Sequence, residues 1–245
     1  MNRSLLAVVI AGLAAPLAAG EAEEAFVEAN ILGIFYHELG HALIDTEALP
    51  VFGQEEDAAD VFSILLVDAL YEDEAAQSIA YDVADGFLGE AALRDEHQSD
   101  VAWWDVHGPD EQRFYNTVCL FYGADPEARE AFAADMDLPQ ERADYCYEEF
   151  SQAYDSWGAV LDDMAERTSG HTMIFSGNDT TLTAQIIAPE VAALNEELRF
   201  SQPITVKVEA CNEANAFYDP ETLEIIMCLE FEEHLFDLAA LLETQ

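Results

Sequence analysis

The spacing of apolar and polar residues along the chain predicts a mostly helical protein. Phe26, Ile31, Ile34, Phe35, Leu39, Ala42 and Leu43 recur at steps of three and four. That spacing places side chains on one face of an α-helix and predicts an amphipathic helix over 22–46. The run Leu49-Pro50-Val51-Phe52-Gly53 ends it with a turn. A second helix is expected from Gln54 to about Tyr71, with Ala58, Val61, Phe62, Leu65 and Leu66 as its apolar stripe. Glu55, Glu56 and Asp57 suit its N-terminal dipole. Further helices are expected at about 74–90, 110–123, 127–135, 140–167, 188–199 and 230–243, with 169–183 a loop or short hairpin. The clear β signal lies near the C-terminus. Ile204 to Val208 alternates, Thr222 to Cys228 is rich in branched residues, and the turn-prone Asp219-Pro220 lies between them, so a hairpin is expected across 204–228. The fold class is therefore mainly α (α+β), a helical domain with a small C-terminal β-hairpin.

Composition changes this picture in three ways. A chain of 245 residues with 51% hydrophobic residues can bury a core, which excludes an acidic disordered chain and suits a single domain. With 8 Lys+Arg against 51 Asp+Glu, the net charge of −43 disfavours nucleic acid and anionic lipid surfaces as partners, because both are bound through basic side chains. Residues 1–20 read as an export signal: Asn2 and Arg3 precede the apolar run Leu5 to Leu17, and Ala18-Ala19-Gly20 offers small residues for cleavage. Cleavage after Gly20 would leave 21–245 as one mature, secreted or periplasmic domain. The apolar run is shorter than the roughly 20 residues that span a bilayer, so no membrane association is expected once it is removed.

Export also decides how the cysteines read. Cys119, Cys146, Cys211 and Cys228 are even in number and lack Cys-x-x-Cys spacing, which points to disulfides in an oxidising compartment rather than a thiolate metal site. Of the three possible pairings, Cys119 with Cys146 and Cys211 with Cys228 close local loops. Crosslinks of that loop length contribute on the order of 3 kcal/mol each. The second would staple the expected hairpin.

The strongest chemical signal is His37-Glu38-Leu39-Gly40-His41. Residues four apart share a helix face, so both imidazoles can point at one ion, with Glu38 beside it to act as a base on water. Gly40 is poor in a helix interior and suits a place where another backbone or a metal approaches closely. A catalytic Zn²⁺ needs a third protein ligand and an open position. Glu55 to Asp60 supplies candidates in the next helix. Glu56 is the expected ligand, and Asp60, four residues on, can accept the other N–H of a ligating imidazole and fix its tautomer. Glu55 falls on a different face from Asp60, and Asp57 has the shorter side chain. A hydrolase of this kind also needs a donor for the developing oxyanion. His107, in the stretch Trp103 to Asn116, is the candidate. In the same stretch Arg113 is expected to pair with a carboxylate and Tyr115 to pack in the core.

His37 to Asp45, Leu49-Pro50 and Glu55 to Asp60 together resemble a bacterial family of metallopeptidase-like proteins of unknown function, secreted and zincin-like, that carry His-Glu-x-x-His. The resemblance continues through Asp110 to Asn116, Tyr122-Gly123 with Asp125-Pro126, Leu138-Pro139 with Arg142-Ala143, and Asn215 to Pro220, and so covers nearly all of the mature chain. It implies a zincin-like domain, zinc, and hydrolysis of peptide or protein substrates through a metal-activated water. Glu56 and Asp60 are also similar to the third ligand and following Asp of thermolysin-like gluzincins. The spacing from His41 is shorter here, and the hairpin follows the motif helix instead of preceding it. If that hairpin borders the metal cleft, an extended peptide could add to its edge as a further strand. The alternative is a non-catalytic secreted binding protein whose metal is structural or absent.

Overall fold

The computed structural model describes residues 19–178 and 180–244. Of the expected export segment only Ala19 and Gly20 are among them, both helical; the rest of that expectation lies outside the described residues. Eight helices and four strands follow in the order α1 (Ala19–Thr46), α2 (Glu55–Leu70), α3 (Asp73–Glu96), α4 (Asp110–Ala124), α5 (Glu130–Asp135), α6 (Gln140–Glu166), β1 (Ile174–Ser176), α7 (Leu182–Glu197), β2 (Thr205–Glu209), β3 (Ala216–Asp219), β4 (Glu224–Cys228) and α8 (Leu229–Leu242). The chain is mainly helical with one small sheet.

Helix α1 is the axis of the molecule rather than an amphipathic surface helix. Val27, Ile31, Phe35, Tyr36, Leu39, Ala42 and Leu43 are all fully buried and together cover more than one face. Helices α2, α3, α7 and α8 and strands β3 and β4 pack around it. The three-and-four spacing identifies one apolar stripe, but Val27 and Tyr36 fill the remaining sides. After α1 the chain reverses sharply, with Ala48 in the left-handed region (φ 52°) and the Leu49 N–H returning to the Ile44 carbonyl at 2.9 Å, a closure typical of helix C-termini. Helix α2 then folds back along α1. A Cβ on Gly40 would lie 3.1 Å from Ala59 Cα, so glycine at this position lets the two backbones meet one turn from Glu56.

The sheet order is β1-β2-β4-β3. This corrects the expected hairpin: β2 and β4 are neighbours but run parallel, with Val206 opposite Ile225. The antiparallel hairpin is β3–β4, and β3 forms within the segment expected to be only a turn, Phe217 lying opposite Ile226. The cue was the uninterrupted run Ile225-Ile226-Met227-Cys228, all buried, which marks a strand covered on both faces, whereas β2 alternates. The segment 169–183, expected to be a loop or hairpin, instead contributes β1, parallel to β2. Helix α7 begins at Leu182, earlier than expected, because the Thr181 hydroxyl caps it by accepting from the Ala184 N–H and Pro189 is tolerated within the helix.

Both disulfides form in the expected pairing, Cys119–Cys146 and Cys211–Cys228. The first ties α4 to α6. The second joins the chain just beyond β2 to the end of β4, so it staples a parallel pair and not a hairpin.

Candidate metal centre

The packing of α2 on α1 brings three side chains to one point. His37 Nε2 lies 3.2 Å from Glu56 Oε2, His41 Nε2 lies 3.1 Å from the same oxygen, and the two Nε2 atoms are 3.2 Å apart. Four-coordinate zinc with bonds of about 2.0–2.1 Å requires ligand atoms roughly 3.3 Å apart, close to this triangle. The two imidazoles also have their Nδ1 atoms occupied from behind, by Asp60 at 2.7 Å for His37 and by Glu55 at 2.8 Å for His41. A carboxylate on Nδ1 fixes the proton there and turns the Nε2 lone pair inward. Two lone pairs and a carboxylate facing one another repel unless a cation lies between them. His37, His41 and Glu56 thus form a group that could hold a metal ion.

Asp60 is itself held. Arg113 donates to both of its oxygens, Nε to Oδ2 and Nη2 to Oδ1, each at 2.8 Å. The Arg113 guanidinium lies 4.4 Å above the Phe87 ring, which closes it off from the other side. Although burial opposes ionisation, Arg113 and His37 hold the Asp60 carboxyl well below the usual carboxylate range. Burial also opposes charge on His37, but the Asp60 and Glu56 contacts outweigh it and raise the imidazole to about 9. Glu56 is held well below its ordinary value by His107 first and then by His37 and His41.

Glu38 is 6% exposed and lies in the same cleft. Burial pushes its carboxyl up, against the pull of His37 and His41, and the Tyr218 backbone N–H donates to it. The cleft has a volume of about 1280 Å³ and is bordered on one side by the edge strand β3. Asn215 of this border accepts the Cys228 N–H through its carbonyl at 3.1 Å. By the alternation of an antiparallel ladder, the backbone groups of Ala216 and Tyr218 then face away from β4. Opposite β3, the segment 97–109 carries His107, whose Nε2 is 2.9 Å from Glu56 Oε2. Gln54 fastens this segment to the start of α2 by donating to the Val106 carbonyl at 3.2 Å.

All six residues expected at the site, His37, Glu38, His41, Glu56, Asp60 and His107, thus line one cleft. Asp57 stays on the exposed side of α2, and Tyr115 is partly buried against the core. Three contacts had no sequence reading: Glu55 behind His41, Arg113 specifically on Asp60, and the Tyr218 N–H on Glu38. The first had a local signal, since Glu55 and Glu56 both occupy the first turn of α2 and can reach two imidazoles that are themselves one turn apart. The other two join residues 53 and 180 positions apart in the chain, beyond the reach of any periodic pattern.

No curated protein and no solved structure matches the chain. A family model does, over residues 13–161 and 176–243, which includes every residue of the cleft named above. The chain belongs to that family, whose description reads "Putative metallopeptidase".

Proposed function

We propose that the protein is a secreted zinc-dependent peptidase, with His37, His41 and Glu56 as the metal ligands and Glu38 as the general base. The observation that carries this reading is the convergence of two Nε2 atoms and one carboxylate oxygen on a single point, with a buried carboxylate beside them in an open cleft. Zinc would supply Lewis acidity there, polarising the substrate carbonyl and lowering the pKa of water toward ~7. Glu38, whose carboxyl is pushed up by burial, takes the proton of the attacking water and returns it to the leaving amine. Asp60 and Glu55 keep both imidazoles in the ligating tautomer. His107, on the rim, donates to the oxyanion. On the free edge of β3 the Ala216 N–H is taken by the Asn215 side chain at 2.9 Å and the Tyr218 N–H by Glu38, so an extended peptide would donate to the outward carbonyls of this edge. Two disulfides support export, and among the described residues no helix is long and apolar enough to cross a membrane.

The alternative, a binding protein with a structural metal, requires a fourth protein ligand in place of an open position. His107, 2.9 Å from Glu56, is placed to supply it. Metal analysis of the purified mature protein together with digestion of an unbiased peptide library separates the two. The peptidase reading expects one zinc per chain and cleaved peptides. Zinc without cleavage supports the alternative with a structural metal, and a protein that neither binds zinc nor cleaves peptides contradicts the peptidase and supports the alternative without a metal.

A further inference from the structure

We infer that the cleft contains a pocket for one bulky apolar side chain of the substrate, adjacent to the scissile bond and formed between α1, α3 and α8. The inference rests on the peptidase reading for its placement but on the pocket walls for its chemistry. The cleft follows one stripe of α1, from Asn30 through Ile34, Glu38 and His41 to Asp45, a run of about 22 Å at the rise of an α-helix. The candidate metal ligands lie near its middle, and the two limbs on either side differ in kind. Toward the C-terminal end of α1 the lining mixes Ile44, Leu49 and Val106 with the polar and acidic Asp45, Gln54 and Glu55, and the Tyr218 hydroxyl donates to Asp45 at 2.7 Å. Toward the N-terminal end the walls are Ile34, Val83, Phe87, Phe231, Leu235 and Leu238.

The two polar side chains set among these walls, Asn30 and Glu90, are already engaged. The Asn30 amide donates to the carbonyls of Phe26 and Asp82, each at 2.9 Å, and Glu90 pairs with His234 at 2.6 Å. A charged ligand group would lose water there against mainly apolar walls, whereas an apolar one gains the hydrophobic term. Ile34 precedes Glu38 by one turn on the same helix face, so the pocket opens beside the base. Its Phe87 wall is stacked on Arg113, which grips Asp60; the pocket and the metal cluster therefore share one rigid support. Phe, Leu, Met and Tyr side chains fit this chemistry. Aspartate and glutamate would in addition meet a chain of net charge −43.

The test uses matched peptides that carry Phe, Ala or Lys at each position flanking one bond. Dissociation constants are measured on zinc-loaded Glu38→Gln protein, and kcat/KM on the wild type. Phe is expected to bind on the order of 10 to 100-fold more tightly than Ala at one flanking position, the range for burying one large apolar side chain. Ile34→Phe, which fills the pocket, and Phe231→Ala, which opens its far wall, should each cut that preference to a few-fold while leaving zinc stoichiometry unchanged. Equal binding of Phe and Ala, or a preference for Lys, would overturn the pocket. Discrimination in binding without hydrolysis by the wild type would retain the pocket and refute the peptidase. Hydrolysis without discrimination would do the reverse, and absence of binding by every peptide would overturn both.

Discussion

Two buried polar networks start from adjacent residues of α1 and end differently. His37 passes to Asp60 on α2 and from there to Arg113 on α4. Tyr36 meets the Tyr71 hydroxyl at 3.0 Å, and Tyr71 donates to Glu190 on α7 at 3.3 Å. Each network contains a largely buried carboxylate behind a ring. Asp60 has a bidentate guanidinium and is held well below its ordinary pKa. Glu190 makes no ion pair among the described residues, and burial pushes its carboxyl up despite the two tyrosines. The cation decides the outcome. A carboxylate that stays charged can hold the N–H of an imidazole and aim its other nitrogen at an ion. A carboxyl whose ionisation burial opposes, with both hydroxyl partners supplied by tyrosines, forms a closed tie between α1, α7 and the end of α2. Chemistry is expected where charge has been stabilised inside the protein and left facing an opening, which holds only for the first network.

The largest effect expected is loss of the metal. Glu56→Ala should abolish zinc binding at concentrations where Glu55→Ala and Asp57→Ala retain it, as measured by titration with a chelator of known affinity. A Glu55→Ala protein that loses zinc while Glu56→Ala keeps it would reverse the ligand assignment. Next in size is the support behind His37. Asp60→Ala should weaken zinc binding by ~10 to 100-fold, as is typical for a residue that orients a ligand. Arg113→Lys should fall between this variant and the wild type, because lysine keeps the charge but cannot bind both carboxylate oxygens. Wild-type affinity in both variants would remove the distinction drawn between the two networks.

The smallest effect belongs to Glu190. Its folded pKa is raised above the unfolded value of about 4.3, so the native state binds the extra proton and stability falls as pH rises from that value through the folded pKa. Glu190→Gln should therefore stabilise the protein at pH 8, with the gain vanishing near pH 4. Denaturant melts at the two pH values check the sign. A variant less stable than wild type at pH 8 would mean that Glu190 is ionised and paired.

What was legible in the sequence follows the range of each interaction. Helix positions could be read because the 3.6-residue period is local, and α2, α4, α6 and α8 all lie within a residue or two of their expected ends. Which strands pair is not a local property: alternation in 204–208 and branched residues in 222–228 indicate two strands but not their parallel arrangement or the third strand between them. The central part of the site was readable for the same reason. His37 and His41 are one helical turn apart, and Glu56 and Asp60 lie one short reversal away. Arg113, Tyr218 and the α8 wall of the cleft reach the site through tertiary packing. The bareness of positive charge in the sequence did carry information: among the described basic residues Arg94, Arg113, Arg129, Arg142, Arg167 and Lys207 are each paired with a carboxylate, and Arg199 instead donates to backbone carbonyls.

Glu38 is the residue on which hydrolysis depends while the metal does not. Zinc content and peptide turnover of Glu38→Gln should be measured side by side with the wild type. The account predicts one zinc per chain in both proteins, the same thermal stability within a few degrees, and turnover reduced by at least ~10²-fold in the variant, the size of a lost general base. Turnover retained at the wild-type rate in a variant that still holds its zinc would contradict it.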